Sequence, residues 1–233
     1  MKKIVFVLLI TTSVLKLYSQ DSKKVSAGLF ISPNLSWLKS DLKAVENEGI
    51  KMGYSFGALL DLKVVDNFYF SAGLAYKNMG GKLSYEHGIS EFKTEDSTLY
   101  NVQSGTTIKY KLDYLSIPLA LKGTTNEIGY ITYFLKAGIE PMINIGAKAD
   151  IGNIKNYVIK KDNINFFNFG WNIGGGFEYN LVGNTKLLVE ILYTGFILDV
   201  DKSKDIFIDA AAVQKKNPKT VINEIELKVG ILF

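Results

Sequence analysis

From Thr220 to Phe233 the chain reads Thr-Val-Ile-Asn-Glu-Ile-Glu-Leu-Lys-Val-Gly-Ile-Leu-Phe. Val221, Ile225, Leu227, Val229, Ile231 and Phe233 share one parity, broken only by Asn223, while Glu224, Glu226, Lys228 and Gly230 share the other. A period of two held over this length is a strand, because successive side chains of extended backbone point to opposite faces. Phe233 is still in phase with the apolar face. Such an ending fits the closing strand of a membrane barrel, whose terminal aromatic lies at the bilayer interface and serves as an insertion signal.

The other end has a different character. Met1 to Gln20 opens on Lys2-Lys3, runs through the apolar Ile4 to Ile10 and ends in Leu17-Tyr18-Ser19-Gln20. It is read as a secretory signal peptide over residues 1–20, cleaved after Gln20 or, as the alternative, after Ser19. Residues 21–233 are then one domain. No apolar run beyond the leader reaches the ~18 residues of a helical span, so a transmembrane helix is excluded.

Charge and cysteine content remove several function classes. Taking Lys2, Lys3 and Lys16 away with the leader leaves +1 of the original +4. A near-neutral body without a basic stripe predicts no nucleic-acid partner. All 27 basic residues are Lys, so the guanidinium fork is absent. The chain has no Cys, which rules out disulfides, thiolate metal sites and lipidation on Cys. A closed hydrogen-bonded sheet is what remains to hold an exported chain of this kind together.

Eight strands are predicted: Lys24 to Asn34, Lys51 to Val64, Phe68 to about Tyr76 or beyond, Thr106 to Lys122, Gly129 to Ala147, Phe166 to Leu181, Thr185 to Leu198 and Thr220 to Phe233. Phe166 to Leu181 is the cleanest, with Phe167, Phe169, Trp171, Ile173, Phe177, Tyr179 and Leu181 against Asn168, Gly170, Asn172, Gly174, Gly176, Glu178 and Asn180. Val65 to Asn67, Gly123 to Ile128 and Val182 to Asn184 are tight turns. Ser36 to Ile50, about Lys77 to Gly105, Lys148 to Asn165 and Asp199 to Lys219 are long and charged. With every second connection long, all long loops collect at one end. The predicted fold is all-β: an eight-stranded antiparallel up-and-down transmembrane β-barrel with short periplasmic turns and long extracellular loops, in the cell outer membrane.

Alternation alone leaves open which face is inside, since soluble eight-stranded barrels line a cavity with apolar side chains. Three features favour apolar-out. The polar face mixes Gly, Ser and Asn with charges of both signs, as a narrow filled lumen requires. Phe169 and Tyr179 stand ten residues apart, about 25 Å along a strand tilted by roughly 40°, the height of the apolar band. The aromatic Phe233 is the third.

This orientation puts Asp61, Lys63, Lys136, Glu140, Glu178, Lys186, Glu190, Glu224, Glu226 and Lys228 inside, as a charge network that plugs the lumen. A polar conduction path is the alternative reading. Glu178, Glu190 and Glu224 on successive strands also admit an acid/base pair or a hard-cation site, but the lysines on the same face favour plain charge pairing.

The fourth strand changes phase. Ile108, Tyr110, Leu112 and Tyr114 are apolar on even positions, then Leu115, Ile117, Leu119 and Leu121 on odd ones, with Pro118 between. A bulge is predicted near Tyr114 to Pro118, because proline donates nothing to a ladder. The run Tyr114-Leu115-Ser116-Ile117-Pro118-Leu119-Ala120-Leu121-Lys122 resembles the Tyr-Leu-x-Ile-Pro-Leu-x-Leu-Lys segment of the PorT-like family of small outer-membrane β-barrels. The Ser-Gln end of the leader, Lys136 to Pro141 and Phe233 are similar to that family too. The resemblance implies an outer-membrane barrel whose assembly partners are periplasmic chaperones and the barrel-insertion machinery. It also implies, for the family's namesake, a part in a protein-secretion system. Its motifs identify no catalytic residue.

His87, the only histidine, lies near Glu86, Ser90, Glu91, Asp96 and Ser97. A Ser/His/Asp set at the outer mouth would suit a lipid acyl hydrolase or transferase, whereas a lone loop histidine is ordinarily just solvated. Gly174-Gly175-Gly176 is followed by more strand and so is no phosphate loop. Asp209 to Lys216 is read as one or two helical turns or a flexible surface loop. The prediction is thus a non-enzymatic barrel without cofactor or metal. Its partners are outer-membrane lipid and, through the loops, an envelope protein.

Overall fold

The computed structural model describes residues 25–41, 45–85, 89–93, 99–102, 104–151, 154–159, 164–200, 207–209, 212–214 and 219–233. The predicted signal peptide and His87 lie outside the described residues. The strands are β1 (Val25–Ser40), β2 (Val45–Gly49), β3 (Lys51–Val65), β4 (Phe68–Tyr85), β5 (Ile89–Lys93), β6 (Leu99–Val102), β7 (Thr106–Ser116), β8 (Leu119–Thr124), β9 (Ile131–Ile151), β10 (Ile154–Val158), β11 (Phe167–Asn180), β12 (Lys186–Phe196), β13 (Phe207–Asp209), β14 (Ala212–Gln214) and β15 (Thr220–Leu232).

Eight staves close into a ring. Going round it, β9 pairs with β11, then β12, β15, β1, β3 and β4, and β7 with β8 returns from β4 to β9. Every one of these ladders is antiparallel. The seam between first and last staves runs from Gly28↔Leu232 to Ser40↔Thr220. Closure leaves no unpaired edge, which is the condition for crossing a bilayer with strands, since lipid offers no hydrogen bond to a bare N–H or C=O.

β7 and β8 make one stave with a break at Ile117–Pro118. The proline has no N–H to give, and the ladder is rescued around it: Ile117 N–H donates to the Pro141 carbonyl at 2.9 Å and Gly73 N–H donates to the Pro118 carbonyl at 3.0 Å. Against β9 the register also slips between Asp113 and Tyr114. The extra residue of that slip, Ile145, lies on β9, so on the predicted strand the irregularity is the proline gap and not a bulge.

Three tight turns sit at the end that carries Val25 and Phe233, and left-handed residues shape them: Asn67 (φ 64°) between β3 and β4, Gly129 (φ 67°) before β9, and Gly183 (φ 65°) between β11 and β12. This is the periplasmic end. At the other end the strands run further than their pattern announced: β1 continues to Ser40, β4 to Tyr85 and β9 to Ile151, so stretches predicted as loop are wall. β2 pairs onto the top of β4, β10 onto β9 and β5 onto β6. Of the stretch 209–216, read as helical turns or a surface loop, the described residues Asp209 and Ala212–Gln214 are strand, β13 pairing with β14 at Phe207↔Gln214 and Ile208↔Val213.

Over the periplasmic half of the barrel the outer wall is apolar and unburied, with Leu29, Leu121 and Leu135 at 66%, 67% and 75% exposure. Toward the extracellular end the faces exchange roles. Leu38, Met79, Leu83, Ile108, Tyr110, Leu112 and Tyr114 point inward and are buried, in one cluster with Val45, Met142, Ala149, Phe196 and Ile222. This corrects the expectation that the oily stripe faces lipid over the whole wall. Outside at this height are Lys82, Ser84, Thr107, Lys109, Lys111 and Asp150, the outward partners across β4, β7 and β9. A wall with that polar exterior stands in water, so its apolar residues turn in, as in any soluble core.

Two glycines let the wall narrow there. β3 pairs with β4 only from Tyr54↔Asn78 downward, and above that point β1 comes straight against β4. A Cβ on Gly81 would lie 2.6 Å from the Leu38 backbone nitrogen. Gly80 (φ 157°) has its N–H bonded to Ser36 Oγ at 2.9 Å, and the Ser36 hydroxyl donates to the Lys51 carbonyl.

Candidate functional site

The lumen is filled in tiers, and strand parity decides which residues fill them. The tier at the periplasmic mouth centres on Lys122 of β8. Its ammonium bonds Asp61 of β3 at 2.6 Å and Glu178 of β11, and it lies 4.7 Å from the Phe134 ring centroid. Glu178 also takes Lys186 of β12 at 2.8 Å. Below this tier a polar recess of about 250 Å³ opens toward the periplasm past Asn67, Thr125, Asn126 and Glu127.

Next comes the pair Lys136 of β9 and Glu190 of β12, 2.6 Å apart. Lys228 of β15 sits between tiers, 5.0 Å from the Phe30 ring centroid and 3.3 Å from Glu226. The central tier gathers on Lys77 of β4, whose ammonium lies 2.6 Å from Glu140, 2.8 Å from Glu224 and 2.9 Å from Glu226. Ser116 donates to Glu140 at 2.6 Å and Ser55 to Glu226 at 2.9 Å. Asn172 and Thr194 complete the shell of Glu140 at 3.4 Å each. Lys77, Glu140, Glu224 and Glu226 are all within 1% of complete burial.

Desolvating one of these ions alone would cost several kcal/mol. The arrangement offsets that by surrounding each carboxylate with an ammonium or hydroxyl from another stave, so each contact also ties the ring across its bore. Above lies the apolar tier, where the Tyr85 and Tyr110 hydroxyls meet at 2.7 Å across β4 and β7. Among the described residues, ionic tiers below and an apolar cluster above occupy the bore beyond the periplasmic recess.

Asp61, Lys136, Glu140, Glu178, Lys186, Glu190, Glu224, Glu226 and Lys228 thus line the interior. Lys63 does not join them. It pairs with Asp66 at 2.7 Å on the rim, where the turn outside the wall leaves it in water. That ammonium holds the Asp66 carboxyl below the usual carboxylate range. Glu178, Glu190 and Glu224 share no lysine and do not converge on one point. Among the described residues, no group of three or more such side chains is placed to hold a metal ion.

Sequence reasoning missed the two hubs. Lys77 continues β4 on the parity opposite Phe68, Phe70, Ala72, Leu74 and Tyr76, a signal lost by assigning it to a loop. Lys122 stands in the resemblance segment with Tyr114, Leu115, Ile117, Pro118 and Leu119, but the phase change hid its direction. The structure gives that segment a local purpose: Tyr114, Ser116 and Lys122 project inward while Ile117 and Leu121 face out. Phe233 lies exposed on the outer wall, its N–H donating to the Ala27 carbonyl at 2.7 Å.

No curated protein matches the chain. Among solved structures, Neisserial surface protein A is similar at 14% identity, covering 88% of this chain and 95% of its own, with a TM-score of 0.46. The outer membrane protein OprG from Pseudomonas aeruginosa is similar at 11% identity, covering 90% and 94%, with a TM-score of 0.46. Ail, the attachment invasion locus protein of Yersinia pestis, is similar at 13% identity, covering 90% and 99%, with a TM-score of 0.41. The model of the outer membrane protein beta-barrel domain matches residues 18–196. With its ring of eight antiparallel staves, lipid-facing belt and filled bore, the chain belongs to the outer membrane protein beta-barrel domain family and resides in the outer membrane.

Proposed function

We propose that the protein is a non-enzymatic, non-conducting outer-membrane barrel that acts as a scaffold, presenting its extracellular strands to an envelope or external protein partner. The observation that carries this reading is the division of labour along the axis. The bore is occupied by ion pairs from Lys122 up to Lys77 and by the apolar cluster above them. The wall continues past the lipid belt as the extensions of β1, β4, β7 and β9 with β2 laid on top. A barrel with nothing to conduct and a rigid collar above the membrane is suited to contact, with periplasmic chaperones and the insertion machinery needed only for assembly.

Photo-crosslinking tests it. A photoreactive residue at Glu46, exposed on β2, is expected to give an adduct of discrete mass in intact cells, and one at Leu135 on the lipid-facing wall is expected to give none. Stepwise conductance in a planar bilayer, or no adduct from the collar, sinks the reading. A second reading, a PorT-like component of a protein-secretion system, is supported by the segment Tyr114 to Lys122 and makes its own demand: a large complex must co-purify with the barrel.

A further inference from the structure

The outer wall over β8, β9 and β11 is concave in its periplasmic half, where an apolar trough of about 1010 Å³ faces lipid. Strand register makes it. Across the three staves one row reads Gly123, Leu135, Gly175, and the row above it Leu121, Ala137, Ile173. Parity turns all six outward, so Gly123, Ala137 and Gly175 form the floor and the larger residues the sides. The two glycines differ in what stands over them. A Cβ on Gly175 would lie 2.8 Å from Leu135 Cδ2, so Leu135 leans over β11, whereas a Cβ on Gly123 would meet only the Phe68 ring, at 3.5 Å. The trough therefore stays open over β8, between Leu135 and Phe68.

Its lower end is polar. Thr124 and Thr125 border both the trough and the recess of about 250 Å³ at the periplasmic mouth. That recess presents both signs of charge, with Lys122 and Lys186 on one side of the balance and Asp61, Glu127 and Glu178 on the other. A molecule lying across the two threonines would thus pass without a break from hydrocarbon surroundings into charged ones, which is the profile of an amphiphile.

Height assigns the leaflet. Tyr130 and Tyr179, their ring centroids 6.2 Å apart, mark the periplasmic headgroup level. From Thr125 up to Leu121 the trough rises by four residues, roughly 10 Å on a tilted strand and close to half of the ~25 Å apolar band. We infer that the trough seats an acyl chain of a periplasmic-leaflet phospholipid whose zwitterionic headgroup lies at Thr124 to Glu127, beside the recess. An acyl chain is flexible enough to follow a trough across three staves, whereas the convex wall of a second barrel could lower only single side chains into it. Inside a bilayer no hydrophobic drive holds the chain there. Dispersion contact does, and a trough touches a chain on three sides where a flat wall touches it on one. The seat lies in the membrane belt and is independent of the collar's protein contacts.

The folded barrel, purified in non-ionic detergent, is mixed with dioleoyl phosphatidylethanolamine and read by native mass spectrometry at a collision energy that removes the detergent. One lipid is expected to stay on each wild-type barrel. Gly123→Leu/Ala137→Leu, which fills the trough from two staves, is expected to retain about tenfold less, the worth of roughly ten lost carbon contacts. Ala58→Leu, on the outer face of β3 and away from the trough, is expected to retain as much as the wild type. Dioleoyl phosphatidylglycerol, which has no ammonium, is expected to be held less strongly by the wild type. Should the double variant lack the gel mobility of a folded barrel, Gly123→Leu alone is expected to show a partial loss. Unchanged retention in a folded trough variant, or equal retention of the two lipids by the wild type, overturns the inference. So does a lipid-free mass of two chains, which would make the trough a face between barrels.

Discussion

Lys77 on β4 and Glu224 on β15 meet at 2.8 Å although β1 and β3 stand between their staves around the wall. The contact crosses the bore. From the same ammonium a second arm reaches Glu140 on β9, on the far side of the β7/β8 stave. A single lysine thus cross-braces the ring at mid-height, in a fully buried tier.

Removing that brace leaves three buried carboxylates facing one another. Lys77→Met is expected to destabilise the barrel by about 3–5 kcal/mol, the cost of stranding buried charge. The measurement is the urea midpoint for loss of the fast-migrating folded band. Lys63→Met, whose partner Asp66 lies in water, is expected to leave the midpoint where it was.

Lys136 and Glu190 give a cleaner test of whether the ion pairs hold the fold or merely satisfy each other. Lys136→Met alone strands a carboxylate that is 1% exposed. Adding Glu190→Gln removes the stranded charge and is expected to recover much of the loss, with a coupling of about 1–3 kcal/mol in a double-mutant cycle. Additive losses would show that the two side chains do not depend on each other.

The inversion of faces at the extracellular end predicts opposite sensitivities for two leucines on one stave. Leu112→Ala, at a fully buried position of the inner cluster, is expected to cost about 2–5 kcal/mol. Leu121→Ala, 67% exposed to lipid, is expected to shift the thermal midpoint in the same detergent far less. Equal shifts would mean that the outer plug is not packed.

Gly81 carries the close approach of β1 to β4. Gly81→Leu is expected to push Leu38 away and loosen the collar by about 1–3 kcal/mol. Limited proteolysis would report it as cleavage above the membrane belt with the lower barrel still protected. Gly123→Ala, whose new methyl would meet only the Phe68 ring at an ordinary 3.5 Å, is expected to behave as wild type.

Much of the interior was legible before any coordinates. β11, β12 and β15 alternate so strictly that Glu178, Glu190, Glu224, Glu226 and Lys228 could be assigned to the lumen from parity alone. Lys63 could not, because parity says nothing about where a strand passes the rim into water. Lys77 fell to a misplaced strand end, and Ile108 to Tyr114 to the assumption that apolar residues keep one address along a stave. The phase change between Tyr114 and Leu115 is no change of side-chain direction, since even positions face inward from Ile108 to Lys122: the same wall passes from lipid to water, and its apolar side changes from outside to inside, while the extra residue of the register slip, Ile145, lies on β9.

Period-two patterning, turn chemistry and the absence of a spanning helix determined a closed ring of eight strands, because those signals are local and follow from extended backbone alone. Which charges meet was decided only by the tertiary structure. Lys77 finds Glu140, Glu224 and Glu226 through the tilt and stagger that closure imposes on the staves. Neither quantity is written in the alternation of any one strand.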